Sequence, residues 1–147
     1  MFVRDRQAGS TTRVSVATNG AQANAASLEP SISDDGRYIT FQSSATNLVS
    51  GDTNGTGDIF IRDRQTNTTA RMSVGANGAQ GTGSSSDPAI SGDGRYVASL
   101  ETSISGDGRS VAFDSLASNL VTGDTNAVRD VFLRDRSTGS TRASRSG

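Results

Sequence analysis

Ser33-Asp34-Asp35-Gly36-Arg37-Tyr38-Ile39-Thr40-Phe41, followed by Asp58-Ile59-Phe60-Ile61-Arg62-Asp63-Arg64, decides the fold of this chain. Ser33 to Gly36 is a tight turn, because Asp tolerates turn backbone and Gly supplies a positive φ. From Arg37 to Ser43 the residues alternate, with Ile39 and Phe41 on one face and Tyr38, Thr40 and Gln42 on the other, which predicts a strand. Asp58 to Arg64 carries Ile59 and Ile61 on one face and Phe60 on the other, so this strand is expected to lie buried between layers.

Working outward, Glu29 to Ser33 reads as a preceding strand and Thr69 to Val74 as a following one, with Met72 and Val74 alternating against Arg71 and Ser73. Residues 44–57 read as a polar loop. Four short antiparallel strands, A to D, joined by turns make one blade of a β-propeller.

The unit recurs. Phe2-Val3-Arg4-Asp5-Arg6-Gln7 returns 58 residues later as Phe60-Ile61-Arg62-Asp63-Arg64-Gln65, and the same shift carries Asn19-Gly20-Ala21-Gln22 onto Asn77-Gly78-Ala79-Gln80. Phe132-Leu133-Arg134-Asp135-Arg136 follows after 72 residues instead, because Ile90-Ser91-Gly92-Asp93-Gly94-Arg95 is repeated at once as Ile104-Ser105-Gly106-Asp107-Gly108-Arg109. Repeats at such periods mark stacked supersecondary units. The expected organisation is a half blade over 2–16 (C and D), a full blade over 28–74, a half blade over 88–100 (A and B) and a full blade over 102–145. Ser99 stands where Phe41 and Phe113 stand, and the last strand lacks equivalents of Met72 and Val74.

Pro30, Ser33, Asp35, Gly36, Ile39, Phe41, Asp58, Ile59 and Phe60 form a pattern that resembles the TolB/Tricorn-type propeller repeat. Pro88, Ser91, Asp93, Gly94 and Val97 repeat part of it. Ser105, Asp107, Gly108, Val111, Phe113, Asp130, Val131 and Phe132 repeat it again. The family's usual Ser-Pro-Asp-Gly has Asp34, Gly92 or Gly106 in place of Pro. The resemblance implies blades of a six- to eight-bladed ring with a central channel, and a periplasmic or extracellular setting. The chain holds about three blades' worth of strands, so the fold is expected to be all-β, a partial or oligomer-completed β-propeller. Met1 leads straight into Phe2-Val3-Arg4-Asp5-Arg6, so no signal peptide is read in this chain.

Composition agrees with β structure and narrows the chemistry. Of 147 residues, 32% are hydrophobic and 20% charged, with 17 glycines, and the formal net charge is −1. Every basic residue is Arg, and Glu29 and Glu101 are the two glutamates, a composition poor in helix formers. Without cysteine or histidine, the Ser-His-Asp, Cys-His and imidazole–metal chemistries are excluded. No apolar run reaches the length of a membrane span, and no basic block reads as a nucleic-acid footprint.

The motif with the most chemistry is the loop between strands B and C. Asp52, Asn54 and Thr56, with Gly57, Asp58 and Asp63, sit at spacings that resemble a calcium loop, since hard Ca²⁺ takes clustered oxygen donors around a sharp turn. Asp124, Asn126 and Asp130 form the second copy, where Val128 and Arg129 replace Thr56 and Gly57. Plain turn chemistry accounts for the same residues without a metal. The Arg-Asp-Arg triplets are read as structural, pairing with neighbouring strands or the turn Asp. No catalytic set is seen, so the expected function is a non-catalytic scaffold or protein-interaction surface. Its partners are proteins, or further copies through open blade edges. The alternative is a calcium- or carbohydrate-binding surface using the B-to-C loops, with calcium as the one candidate cofactor.

Overall fold

A computed structural model describes residues 1–75, 77–90, 97–98, 110–135 and 138–144. Every regular element among them is a strand. Strands β1 (Phe2–Asp5) and β2 (Ser10–Arg13) form a two-stranded sheet. β3 (Ser27–Ile32), β4 (Tyr38–Ser43), β5 (Asp58–Asp63) and β6 (Thr68–Arg71) form a four-stranded antiparallel meander in chain order, the A-B-C-D blade. No helix of the described residues is long and apolar enough to cross a membrane.

The remaining strands are β7 (Ser85–Ser86), β8 (Ala89–Ile90), β9 (Val97–Ala98), β10 (Ser110–Ser115), β11 (Asp130–Asp135) and β12 (Thr141–Ser144). They join one six-stranded sheet. β7 pairs with β10, so Ser85 and Ser86 meet Ser115 and Asp114 as Ser27 and Leu28 meet Ser43 and Gln42 in the preceding blade. β8 pairs with β9, and β9 runs parallel to β10 through Val97 and Val111. The strands that follow the two copies of the duplicated turn, β9 and β10, are therefore drawn to one A strand, each taking half of it. The described strands of the expected half blade over 88–100 and of the expected blade over 102–145 share this sheet. The rest of the half blade, and strand A of the last unit, fall outside the described residues.

A backbone irregularity divides that A strand. Glu29 and Asp87 both have φ 51°, a conformation that non-glycine residues seldom adopt, and each precedes a proline. The register of β3 against β4 shifts between Leu28 and Ser31, and Asp87 lies between β7 and β8 in the same backbone conformation. The sequence shows the Pro but not the bulge. The two positions touch, with Asp87 N–H donating to Glu29 Oε2 at 2.9 Å.

The turn before β4 is built as its residues dictate. Gly36 has φ 69°. Ser33 Oγ donates to Asp35 Oδ1 at 2.6 Å, and Arg37 N–H donates to the same oxygen at 2.9 Å. β5 is buried from Asp58 through Arg62, as expected for a strand between layers. β4 departs from simple alternation, because Thr40 is as buried as Ile39 and Phe41: blades cover both faces at mid-strand.

Two cores lie between successive sheets. Val14, Ile39, Phe41, Ala45, Leu48 and Phe60 pack together, with Met1 and Val3 against them. Ile59, Ile61, Met72, Phe113, Ala117, Leu120 and Phe132 form the second core. Each blade thus turns its β5-type aromatic back toward the blade before it and its aliphatic pair forward. Phe41 stacks on Phe60 at 5.8 Å and Phe113 on Phe132 at 5.9 Å. The B-to-C loops, expected to be polar, plug these cores with Ala45 and Leu48, and with Ala117 and Leu120.

Candidate functional site

The first B-to-C loop closes on itself. Asn54 Nδ2 donates to Asp58 Oδ2 at 3.1 Å, and its Oδ1 accepts the Thr56 N–H at 3.1 Å. The amide thus turns a donor, not an oxygen, toward the carboxylate. Ser73 Oγ donates to Asp58 Oδ1 at 2.6 Å, and Gln80 Nε2 to Asp52 Oδ1 at 3.2 Å. Arg71 lies between the two acids, its Nη1 3.3 Å from Asp52 Oδ1 and 3.3 Å from Asp58 Oδ2. The cluster is buried, with side-chain exposures of 10% for Arg71, 4% for Asp52 and 0% for Asp58. A guanidinium therefore stands where a cation between these carboxylates would stand. Burial first, and then the neighbouring Asp58, push the Asp52 carboxyl above its ordinary range, while Arg71 and Gln80 oppose the rise.

Asp63, the remaining residue of the expected calcium set, is not brought to this loop. It lies at the far end of β5, where Arg37 Nε and Nη2 bond its two oxygens at 3.0 and 2.7 Å. The N–H groups of Gln65 and Thr66 donate to it at 2.8 and 3.2 Å. Arg37 chiefly, assisted by those backbone N–H groups against partial burial, holds Asp63 well below the usual carboxylate range. Such a group stabilises the fold fully above its unfolded pKa, about 3.9, and loses that contribution as pH falls through the depressed folded value. Asp52 has the opposite sign: its raised pKa favours the fold as pH falls through it. Acid titration of the unfolding free energy is expected to show a steep loss below about pH 4 that Asp63→Asn flattens. An unchanged acid limb in that variant would refute the assignment.

The second loop repeats the frame without the guanidinium. Asn126 Nδ2 donates to Asp130 Oδ2 at 2.9 Å and its Oδ1 accepts the Val128 N–H at 3.2 Å. Ala143 pairs with Phe132 where Arg71 pairs with Phe60. Arg129, which replaces Gly57, turns away and pairs with the buried Asp114. Among the described residues no group of three or more acidic side chains is arranged to hold a metal.

A different feature is an open cleft on the first two sheets. A cleft of about 540 Å³ lies between β2 and the turn end of the four-stranded blade, and Arg13, Asp35, Arg37, Arg62, Arg64 and Asn67 line it. Arg37 is held by Asp63, and Arg62 donates to Asn67 O at 2.7 Å and to Thr69 Oγ1 at 3.2 Å. Arg62 is buried without a carboxylate hydrogen-bonded to it, and burial lowers its pKa. Arg64 donates to Gly36 O at 2.7 Å, and Arg13 lies 4.8 Å over the Phe2 ring. Four guanidiniums against Asp35, the flanking Asp63 and Asp5, which lies within electrostatic reach of Arg64, leave the cleft positive. Sequence reasoning took the Arg-Asp-Arg triplet as structural, and Arg62 and Arg64 do make structural bonds. It did not foresee that the turn Arg37 and Arg13 join them around one opening.

No family model matches the sequence, and no curated protein matches it. The structure is similar to that of a protein assigned as TolB from Agrobacterium tumefaciens, with a TM-score of 0.49 and 16% identity over 84% of this chain and 32% of that one. It is also similar to TolB from Acinetobacter baumannii, with a TM-score of 0.32 and 15% identity over 97% of this chain and 36% of that one. The chain spans about a third of the length of these structures. At such identities the likeness is one of fold.

Proposed function

We propose that the chain is a non-catalytic interaction module of propeller-type blades that holds an acidic segment of a protein partner in the arginine cleft. The cleft itself supports this reading: it is open to solvent, and its four guanidiniums outnumber Asp5, Asp35 and Asp63. Guanidiniums recognise carboxylates through paired N–H donors, and Arg13 and Arg64 keep donors unspent on carboxylates among the described residues. The calcium- or carbohydrate-binding alternative draws on the B-to-C loops, but at the first of them Arg71 already supplies the positive charge.

Calorimetric titration with a capped hexapeptide of glutamates tests the proposal. Binding is expected at low ionic strength, falling as salt screens it, and at least about tenfold weaker in the Arg13→Ala, Arg64→Ala double variant. Absence of binding at low salt, or equal binding by the double variant, would overturn it.

A further inference from the structure

Two interfaces inside the chain show how one blade seats on the next. At the first, Phe60 is fully buried, Arg62 donates to Thr69 Oγ1, and Thr69 Oγ1 donates to Val16 O, in the segment just after β2, at 2.6 Å. At the second, Phe132 is fully buried, Arg134 donates to Thr141 Oγ1, and Thr141 Oγ1 donates to Val74 O at 2.8 Å. Arg134 also reaches Gly75 O across the same boundary at 2.8 Å. Aromatic, arginine and threonine thus form one device used twice.

β1 and β2 carry the device a third time. Phe2, Arg4 and Thr11 stand in the register of Phe60, Arg62 and Thr69, and Arg4 donates to Thr11 Oγ1 at 3.1 Å. Here Phe2 is 59% exposed, and Thr11 is exposed too. The last sheet leaves the matching aliphatic position open. Ile59 and Ile61 are buried against the blade that follows them, whereas Leu133, the equivalent of Ile61, is 39% exposed.

We propose that these two faces are the halves of a third interface of the same kind, formed head to tail between two copies of this chain. The occupant follows from the two internal interfaces, whose back halves use the same three residue types in the same register and whose front halves use the same aliphatic position. The contact is heterologous, since Phe2 of one copy meets the Leu133 face of the other, and each pair keeps one free face of each type. It involves blade faces rather than strand edges, and it is independent of the acidic-partner reading.

Sedimentation velocity across a range of concentrations tests it. The chain is expected to self-associate. Phe2→Asp and Leu133→Asp, each at an exposed position, are expected to weaken association at least about tenfold while keeping the β-sheet circular dichroism and cooperative melting of the parent. A mixture of the two variants is expected to regain a one-to-one dimer and nothing larger, because each retains the face the other lacks. Arg4→Ala is expected to weaken association by a smaller factor. A parent that stays monomeric at every concentration, variants that associate like the parent, or a mixture that fails to complement would each overturn the proposal.

Discussion

Phe60→Ala lowers the unfolding free energy by about 3–5 kcal/mol, whereas Phe2→Ala at the equivalent position of the first sheet changes the monomer's by about 0.5 kcal/mol or less. The two residues share sequence context and strand register; they differ in what lies behind them. Phe60 is completely buried, stacks on Phe41 and closes the core that joins the first sheet to the four-stranded blade, while Phe2 stands 59% exposed. Truncation at Phe60 removes the transfer energy of a ring and leaves a cavity that rigid neighbouring strands fill only in part. For a domain with a net stability of roughly 5–15 kcal/mol, such a loss leaves a substantial unfolded population. Denaturant titrations of the two variants measure it, and equal losses would mean that sheet stacking is not what buries Phe60.

The second large effect is at Asp58. Its carboxylate is fully buried and bonded by Ser73, Asn54 and Arg71. Asp58→Ala removes the acceptor for three donors at once and leaves Arg71 facing Asp52 alone, at a cost of about 3–5 kcal/mol, the range for breaking a buried pair by removing one partner. Asp130→Ala, at the matching place in the second loop, costs about 1 kcal/mol, because Ala143 replaces the arginine there and Asn126 is the donor that loses its acceptor. Comparing the two by urea unfolding separates a charge cluster that organises the first loop from a turn that merely resembles it. Equal costs would show that Arg71 contributes nothing.

The sequence carries the strands and the turns clearly, because each rests on a local rule. Ile39 and Phe41 alternate, Asp35 and Gly36 turn, and Phe60 between Ile59 and Ile61 announces a strand covered on both sides. What escapes is what depends on the neighbouring blade. Arg62 reads as a charge paired with a neighbouring strand or the turn Asp, yet it is buried with no carboxylate hydrogen-bonded to it; its partner Thr69 reaches Val16 O in the segment after β2. A signal for this was present: arginine and threonine recur seven residues apart at 4 and 11, 62 and 69, and 134 and 141. The backbone conformation at Glu29 and Asp87 escapes because the acids before Pro30 and Pro88 do not by themselves fix φ.

The loop at Asp52 to Asp58 shows the same limit from the side of chemistry. Its oxygens have calcium-like spacing, but whether a cation is needed depends on Arg71, which lies on the next strand but one and enters the cluster only once β6 has paired with β5. Asp63 fits the spacing by count alone. Strand geometry carries it away from the loop, since each residue of β5 advances the chain by about 3.3 Å.

Successive sheets are stacked repeats of one meander, locked across blades by the threonine-to-carbonyl bond. Nuclear Overhauser effects in isotope-labelled protein test this most directly. Contacts are expected between the Thr69 and Val16 residues and between those of Thr141 and Val74, together with ring-to-ring contacts of Phe41 with Phe60 and of Phe113 with Phe132. Cross-strand contacts within each sheet but none from Thr69 to Val16 or from Thr141 to Val74 would contradict it, leaving meanders that do not stack.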